Sequence, residues 1–442
     1  MAASLPDYVK ASVPNPPEKR APWYKTTFPS YAGIFLWVAF YLGLAGPTIS
    51  RAGLGVCLAG LLVAGLLCFG LYYYPPGMLG MQTGRTLYIV GTSTFGTAGG
   101  YLMPGLLMGL LQIGWFAVAT YFATDYIMKG LHQDSRTLFT VIALVWAYGL
   151  AWVAIKGIGY VAKVAQFLNW VPLVMIVIVF WVNKDGIGSY QPPQSDAWSG
   201  FLAMLSMVIG FFATAGAAGA DFGINSRNRK DVILGGLTGI TLAIVVAGGL
   251  PVLSVAGHIG KTVGAAPNYD YAATIASVGS IAPVMFFLFA AASMVPTCFC
   301  TFIAANSFGT MLPKIPRGLS TIVGVTVGAL LAVTGVAANL IGFFTIVGAS
   351  FGPICGAMAA DYMLAGRKWS GPRQRINWAG YAAWGVGFVV GILDKIPGVP
   401  VGLVKVDNPA VLWSFAVGFV VYMLLAGIRP PVIAIEGVGS RK

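Results

Sequence analysis

Apolar runs close to the roughly 20 residues that cross a bilayer recur from end to end of this chain, and no other feature constrains its fold as strongly. Twelve are read, at about 30–50, 53–74, 101–125, 136–155, 157–182, 199–222, 232–256, 281–307, 318–337, 340–364, 376–393 and 408–427. Backbone N–H and C=O groups have no water to bond inside lipid, so each run must satisfy its own as a helix. Composition agrees. Only 9% of the 442 residues are charged and 57% are hydrophobic, against roughly 25% charged in a soluble domain. The first run follows a polar, Pro-rich arm, "SVPNPPEKRAPWYK", which does not read as a removable signal peptide. The expectation is an all-α polytopic membrane protein of 12 transmembrane helices.

The net charge of +13 would also suit a nucleic-acid binder, but its distribution is sided. With twelve spans both termini share a face. That face carries nineteen of the 26 Lys and Arg residues and the other carries seven. Excess positive charge marks the cytoplasmic side, so both termini are expected there and no nucleic-acid partner is. Cys57, Cys68, Cys298, Cys300 and Cys355 all fall in apolar runs and read as small hydrophobes. His132 and His258 fall in expected outer loops. No Cys/His ligand spacing occurs, so neither a metal centre nor another cofactor is expected.

Two runs are interrupted in pattern. "YLGLAGPTIS" (41–50) and "VIGFFATAGAAGAD" (208–221) put glycines and small residues mid-membrane, five spans apart. That spacing suits an inverted-repeat transporter whose site lies at broken helices. It equally suits glycines that let helices pack closely.

Few residues offer chemistry. Asp125, Asp221 and Asp361 lie near span ends, with basic residues close by, and read as caps or ion pairs. A central carboxylate pair or a Ser/His constellation is missing, so an enzyme is not expected. Gln112 and Trp115 stand three apart on the third span, hence on neighbouring faces of one turn. With Phe211, Phe212 and Thr214 on the sixth span, they describe a slot for a small planar heterocycle: an amide, a hydroxyl and flat faces to stack. Trp115 also reads as an ordinary packing residue. On the eighth span, "PTCFCTFIAANSFG" (296–309) sets Thr297, Cys300 and Thr301 on one patch. The threonine hydroxyls suit a Na⁺ better than the soft Cys300 sulfur does. Back-bonding to carbonyls one turn earlier accounts for them equally well.

Four ordered motifs carry a resemblance. "TSTFGTAGGYLMPGLLMGLLQIGWFAV" (92–118), "GFFATAGAAGADF" (210–222), "FCTFIAAN" (299–306) and "GPICGAMAADYMLAGRK" (352–368) resemble segments of the nucleobase:cation symporter-1 family, which includes purine/cytosine permeases and hydantoin transporters. The resemblance covers about residues 30–427. It implies a leucine-transporter-like 5+5 inverted repeat plus two C-terminal helices. The first repeat would be 30–182, the second 199–364 and the extra helices 376–427, with a cytoplasmic arm 1–29 and tail 428–442. It implies a substrate held between aromatics matching Trp115 and Phe212. Gln112, Thr214 and Asn306 fall where relatives hydrogen-bond it. The family's Na⁺ site maps onto the carbonyls of Phe40, Gly43 and Thr297 and the side chains of Cys300 and Thr301. Cys300 stands where relatives have Ser or Thr, Phe302 where they have Asn, and Phe211 where cytosine permeases have a small polar residue. The coupling ion is therefore Na⁺ or H⁺.

The expected function is secondary active import of a nucleobase, or of a related planar heterocycle such as allantoin or a hydantoin, by cation symport. The expected setting is a monomer in the bacterial inner membrane. An amino-acid or amine transporter of the same fold is the nearest alternative. It would grip an α-carboxylate with helix-end N–H groups and would not need the aromatic pair. A receptor that has lost transport is the next.

Overall fold

The computed structural model describes residues 5–193, 195–262, 264–396 and 410–433, without side chains at 155–167 and 394. Residues 1–4 of the expected arm, the tail beyond 433 and the first two residues of the last expected span lie outside the described residues. Among those described the chain is helical, with two isolated β-bridges, Ala21 to Ser226 and Arg373 to Val432.

Among the described residues, eight helices are long and apolar enough to cross a membrane: Leu54–Thr83, Gly99–Gly130, Arg136–Ala154, Trp170–Ser189, Ala197–Ala217, Arg229–Lys261, Ala282–Met311 and Leu340–Leu364. A ninth span forms if the pair Thr27–Phe35 and Val38–Ile49, bent by 47°, counts as one. Three shorter helices occupy the remaining expected stretches. Arg317–Val333 has 17 residues, Trp378–Gly391 has 14 and Ala410–Leu424 has 15, all below the roughly 20 of a full span. His258, expected in a loop, lies in the last turn of the Ala243–Lys261 helix.

Burial separates inner from outer helices. In the apolar stretch of Ala197–Ala217, 78% of residues are buried, and in Leu340–Leu364, 72%, against 28% in Arg136–Ala154. These two central helices pack on each other, and Leu107–Gly130 packs on Met294–Met311. Outside, Trp170, Trp181, Trp198 and Trp378 are exposed at or near helix ends. An amphipathic indole sits there when a helix end meets the headgroups.

The two expected interruptions turn out differently. In the first span the helix stops at Phe35, and Trp37 takes an extended backbone, φ −72°, ψ 131°, before Val38–Leu42 restarts. The sixth span runs as one helix from Ala197 to Ala217, past Gly210 and Gly216, and turns at Ala218, within the quoted 208–221 stretch, before a short helix resumes at Gly219–Gly223. Its glycines serve close packing. A Cβ on Gly210 would stand 2.8 Å from the Phe344 carbonyl oxygen, and one on Gly216 would stand 2.6 Å from the Tyr72 Cβ.

The three acidic residues are structural. Asp125 pairs with Lys129 one turn on. Asp221 accepts the Leu87 N–H at 2.9 Å. Asp361 is buried, accepts the Tyr422 hydroxyl at 2.8 Å, and lies 3.4 Å from Arg429 and 3.5 Å from Arg373. The polar arm is no loose tail. Tyr8 donates to Thr97, Arg20 to Met81 and Asn15 to Ile224, each through a backbone carbonyl, and Arg85 reaches back to Ser12.

Candidate functional site

Trp115 is buried, 4% exposed, on Leu107–Gly130. Its indole N–H donates to the Thr214 hydroxyl at 3.2 Å, which ties the third expected span to the sixth through side chains. Four rings surround it. Phe343 lies edge-on at 4.8 Å between centroids, Phe211 edge-on at 5.1 Å, Trp37 tilted at 5.2 Å and Phe344 tilted at 5.7 Å. Edge-to-face and tilted contacts suit the ring quadrupoles. The result is an aromatic cage built from the first, third, sixth and tenth expected spans.

Of the two adjacent phenylalanines, Phe211 is the one beside Trp115. Phe212 stacks on Phe35 at 5.7 Å and 20°, and tilts against Tyr31. Consecutive helical residues point about 100° apart, so only one of the pair can face the cage. Phe40 packs its ring on Phe35 and Phe211, and Gly43 faces Met207 and Leu340.

Gln112 points elsewhere. Its amide lies 3.6 Å from the Met108 sulfur, and it lines a small cleft together with Cys300, Thr301 and Thr321. Met294–Met311 holds its hydroxyls by back-bonding. Thr297 donates to the Ser293 carbonyl at 2.6 Å and Thr301 to the Thr297 carbonyl at 3.0 Å. Each hydroxyl keeps acceptor lone pairs, so back-bonding and ion ligation are compatible. Cys300 is buried beside them. Pro296 falls in the first turn of this helix, where a missing N–H breaks no intrahelical bond. Asn306 is half-buried on the same helix.

Sequence reasoning missed Trp37, Phe343 and Phe344. Trp37 did leave a signal. Membrane tryptophans concentrate at the interfaces, and this one sits well inside a span, next to its break. Phe343 and Phe344 left none, since phenylalanine is ordinary in lipid-facing and buried positions alike.

No family model matches the chain. It is 24% identical over 361 residues to the cytosine permease of Escherichia coli (strain K12), covering 77% of this chain and 79% of that protein. It is also 24% identical over 429 residues to the putative allantoin permease of the same strain, covering 88% and 80%. Among solved structures, the inward-facing conformation of Mhp1 superposes with a TM-score of 0.72 at 16% identity, covering 96% of this chain and 94% of that one. Mhp1, a nucleobase-cation-symport-1 family transporter, in a closed conformation with bromovinylhydantoin bound gives 0.67 at 17% identity, covering 96% of each chain. A Na⁺-coupled sialic acid symporter gives 0.56 at 13% identity, covering 95% and 92%. The chain is a multi-pass membrane protein, homologous to cytosine and allantoin permeases and built on the fold of a nucleobase-cation-symport-1 transporter.

Proposed function

We propose that this chain is a secondary active transporter that imports a nucleobase, or a related planar nitrogen heterocycle such as allantoin or a hydantoin, by cation symport. The observation that carries this reading is the Trp115 cage, with the Thr214 hydroxyl at the indole edge and Phe211 across from it. A flat ring entering the cage displaces one of the protein's own rings and takes its place against the Trp115 indole. Phe212 holds Phe35 and Tyr31 in place behind the cage. Thr214 and Asn306 supply hydrogen bonds to the polar edge of the substrate, and Gln112, which lies against the Met108 sulfur in this structure, turns to it when substrate binds.

Coupling runs through the carbonyls of Phe40 and Gly43 near the first-span break and through Thr297, Cys300 and Thr301. The cation is Na⁺ or H⁺, and its differential affinity for two states of the protein biases the cycle. In this reading the chain has twelve spans. Repeats 30–182 and 199–364 have inverted topology and 376–427 adds two helices. The protein is a monomer in the bacterial inner membrane with both termini, including the arm 1–29 and tail 428–442, in the cytoplasm.

Uptake of radiolabelled cytosine, uracil, adenine, allantoin and hydantoins into cells or proteoliposomes, each in sodium and in choline buffer at two pH values, tests it. Saturable accumulation of at least one heterocycle is expected. Amino-acid uptake with no heterocycle taken up would sink the reading. Cys300→Ser restores an oxygen to the ion patch, so its transport is expected to depend more steeply on sodium. An unchanged sodium titration would remove Cys300 from the ion site.

A further inference from the structure

Trp37 is the one buried indole N–H without a hydrogen-bond partner among the described residues. The other interior indoles are engaged: Trp115 donates to Thr214, Trp369 to the Val90 carbonyl and Trp384 to the Ser350 carbonyl. Trp37 is 7% exposed. An unpaired N–H of that kind is costly in a protein interior and more so at membrane depth.

Its position explains why it has no local partner. Trp37 lies between two helical segments, at the residue that turns the first span through its 47° bend. The bend carries the side chain into the cage. There its ring meets Trp115 at 5.2 Å and 57°, and Phe211 at 6.0 Å and 56°. The surrounding rings of the cage offer faces and edges but no acceptor. An indole N–H is a donor only, so its natural partner is an acceptor atom that is brought in.

We propose that Trp37 is a substrate-contact residue that sets specificity: its N–H donates to a carbonyl oxygen or an unprotonated ring nitrogen of the planar heterocycle held at Trp115. This rests on the transport reading above and deepens it. Trp115 already spends its N–H on Thr214, so Trp37 supplies the cage's free indole donor. A heterocycle with an acceptor on that edge is selected over one presenting C–H or a weaker acceptor there.

The test is uptake by wild type and by Trp37→Phe, which keeps the aromatic area and removes the N–H. The probes are uracil with its monothio analogues and adenine with its deaza analogues, so that one acceptor is weakened at a time. Wild type is expected to discriminate against one analogue of each set that it accumulates. Trp37→Phe is expected to raise KM for the parent base by about five- to tenfold, the size of one lost hydrogen bond, with little change in maximal rate. It is also expected to abolish that discrimination. Unchanged parent-to-analogue ratios in Trp37→Phe would overturn the assignment and leave the transport reading standing. A wild type that ignores every substitution would overturn it too, without recourse to a variant. A wild type that accumulates neither base nor any other heterocycle would overturn both.

Discussion

The Trp115–Thr214 hydrogen bond is a single contact with two duties. It fixes the indole plane inside the cage, and it satisfies a buried N–H that has no other partner. Thr214→Val keeps the shape and removes the acceptor. Side-chain hydrogen bonds between membrane helices are worth roughly 0.6–1.7 kcal/mol. The variant is therefore expected to lower the unfolding temperature of the detergent-purified protein modestly and to weaken uptake. Thr214→Ser, which returns the hydroxyl, is expected to recover both. If Val and Ser behave alike, the bond does not hold the indole.

The Leu340–Leu364 helix makes long-range contacts at both ends. Near its start Phe343 and Phe344 wall the cage, and near its end Asp361 joins two later parts of the chain. Arg373 lies in the loop after the helix and Arg429 follows Ala410–Leu424, whose Tyr422 also bonds the carboxylate. Removing one partner of a buried ion pair leaves the others charged and unpaired, at a cost of about 3–5 kcal/mol when burial is complete. Arg429 is 21% exposed and Arg373 10%, so Asp361→Ala is expected near the lower end, read as a large drop in unfolding temperature. Asp361→Asn still accepts the Tyr422 hydroxyl and is expected to fall between. A neutral Asp361→Ala would show that the C-terminal helix is held by packing alone.

Apart from the aromatic cage, the molecule holds a second buried aromatic cluster. Tyr41, Tyr126 and Tyr271 surround Phe289 at 6.2, 5.9 and 6.4 Å between centroids. All three are fully buried and none of their hydroxyls has a partner. Tyr271→Phe removes a hydroxyl that gains nothing in this arrangement, so the unfolding temperature is expected to hold or rise. Tyr422→Phe, which loses the bond to Asp361, is expected to lower it. On the alternating-access reading, a state that wets these hydroxyls loses stability relative to this one in Tyr271→Phe, and uptake slows. Destabilisation by Tyr271→Phe to the extent of Tyr422→Phe would mean that its hydroxyl is partnered.

The class of the protein and the positions of its long apolar helices were legible in the residues alone. Lipid acts on every residue of a span separately, so apolar runs report it without reference to anything distant. Trp115 and Thr214 were singled out on residue type, and they meet. Tertiary packing decided the rest. It chose Phe211 over Phe212 as the ring beside Trp115, because neighbours on a helix differ only in which way they face. It made Gly210 and Gly216 of the sixth span seats for Phe344 and Tyr72 and put the turn of that span at Ala218. Asp361 took Arg373 and Arg429 instead of Arg367, nearer in sequence, and Trp37 was carried into the cage by the 47° bend of the first span. Solvent preference is a property of each side chain, whereas the choice of partner is settled only when distant segments compete for the same space.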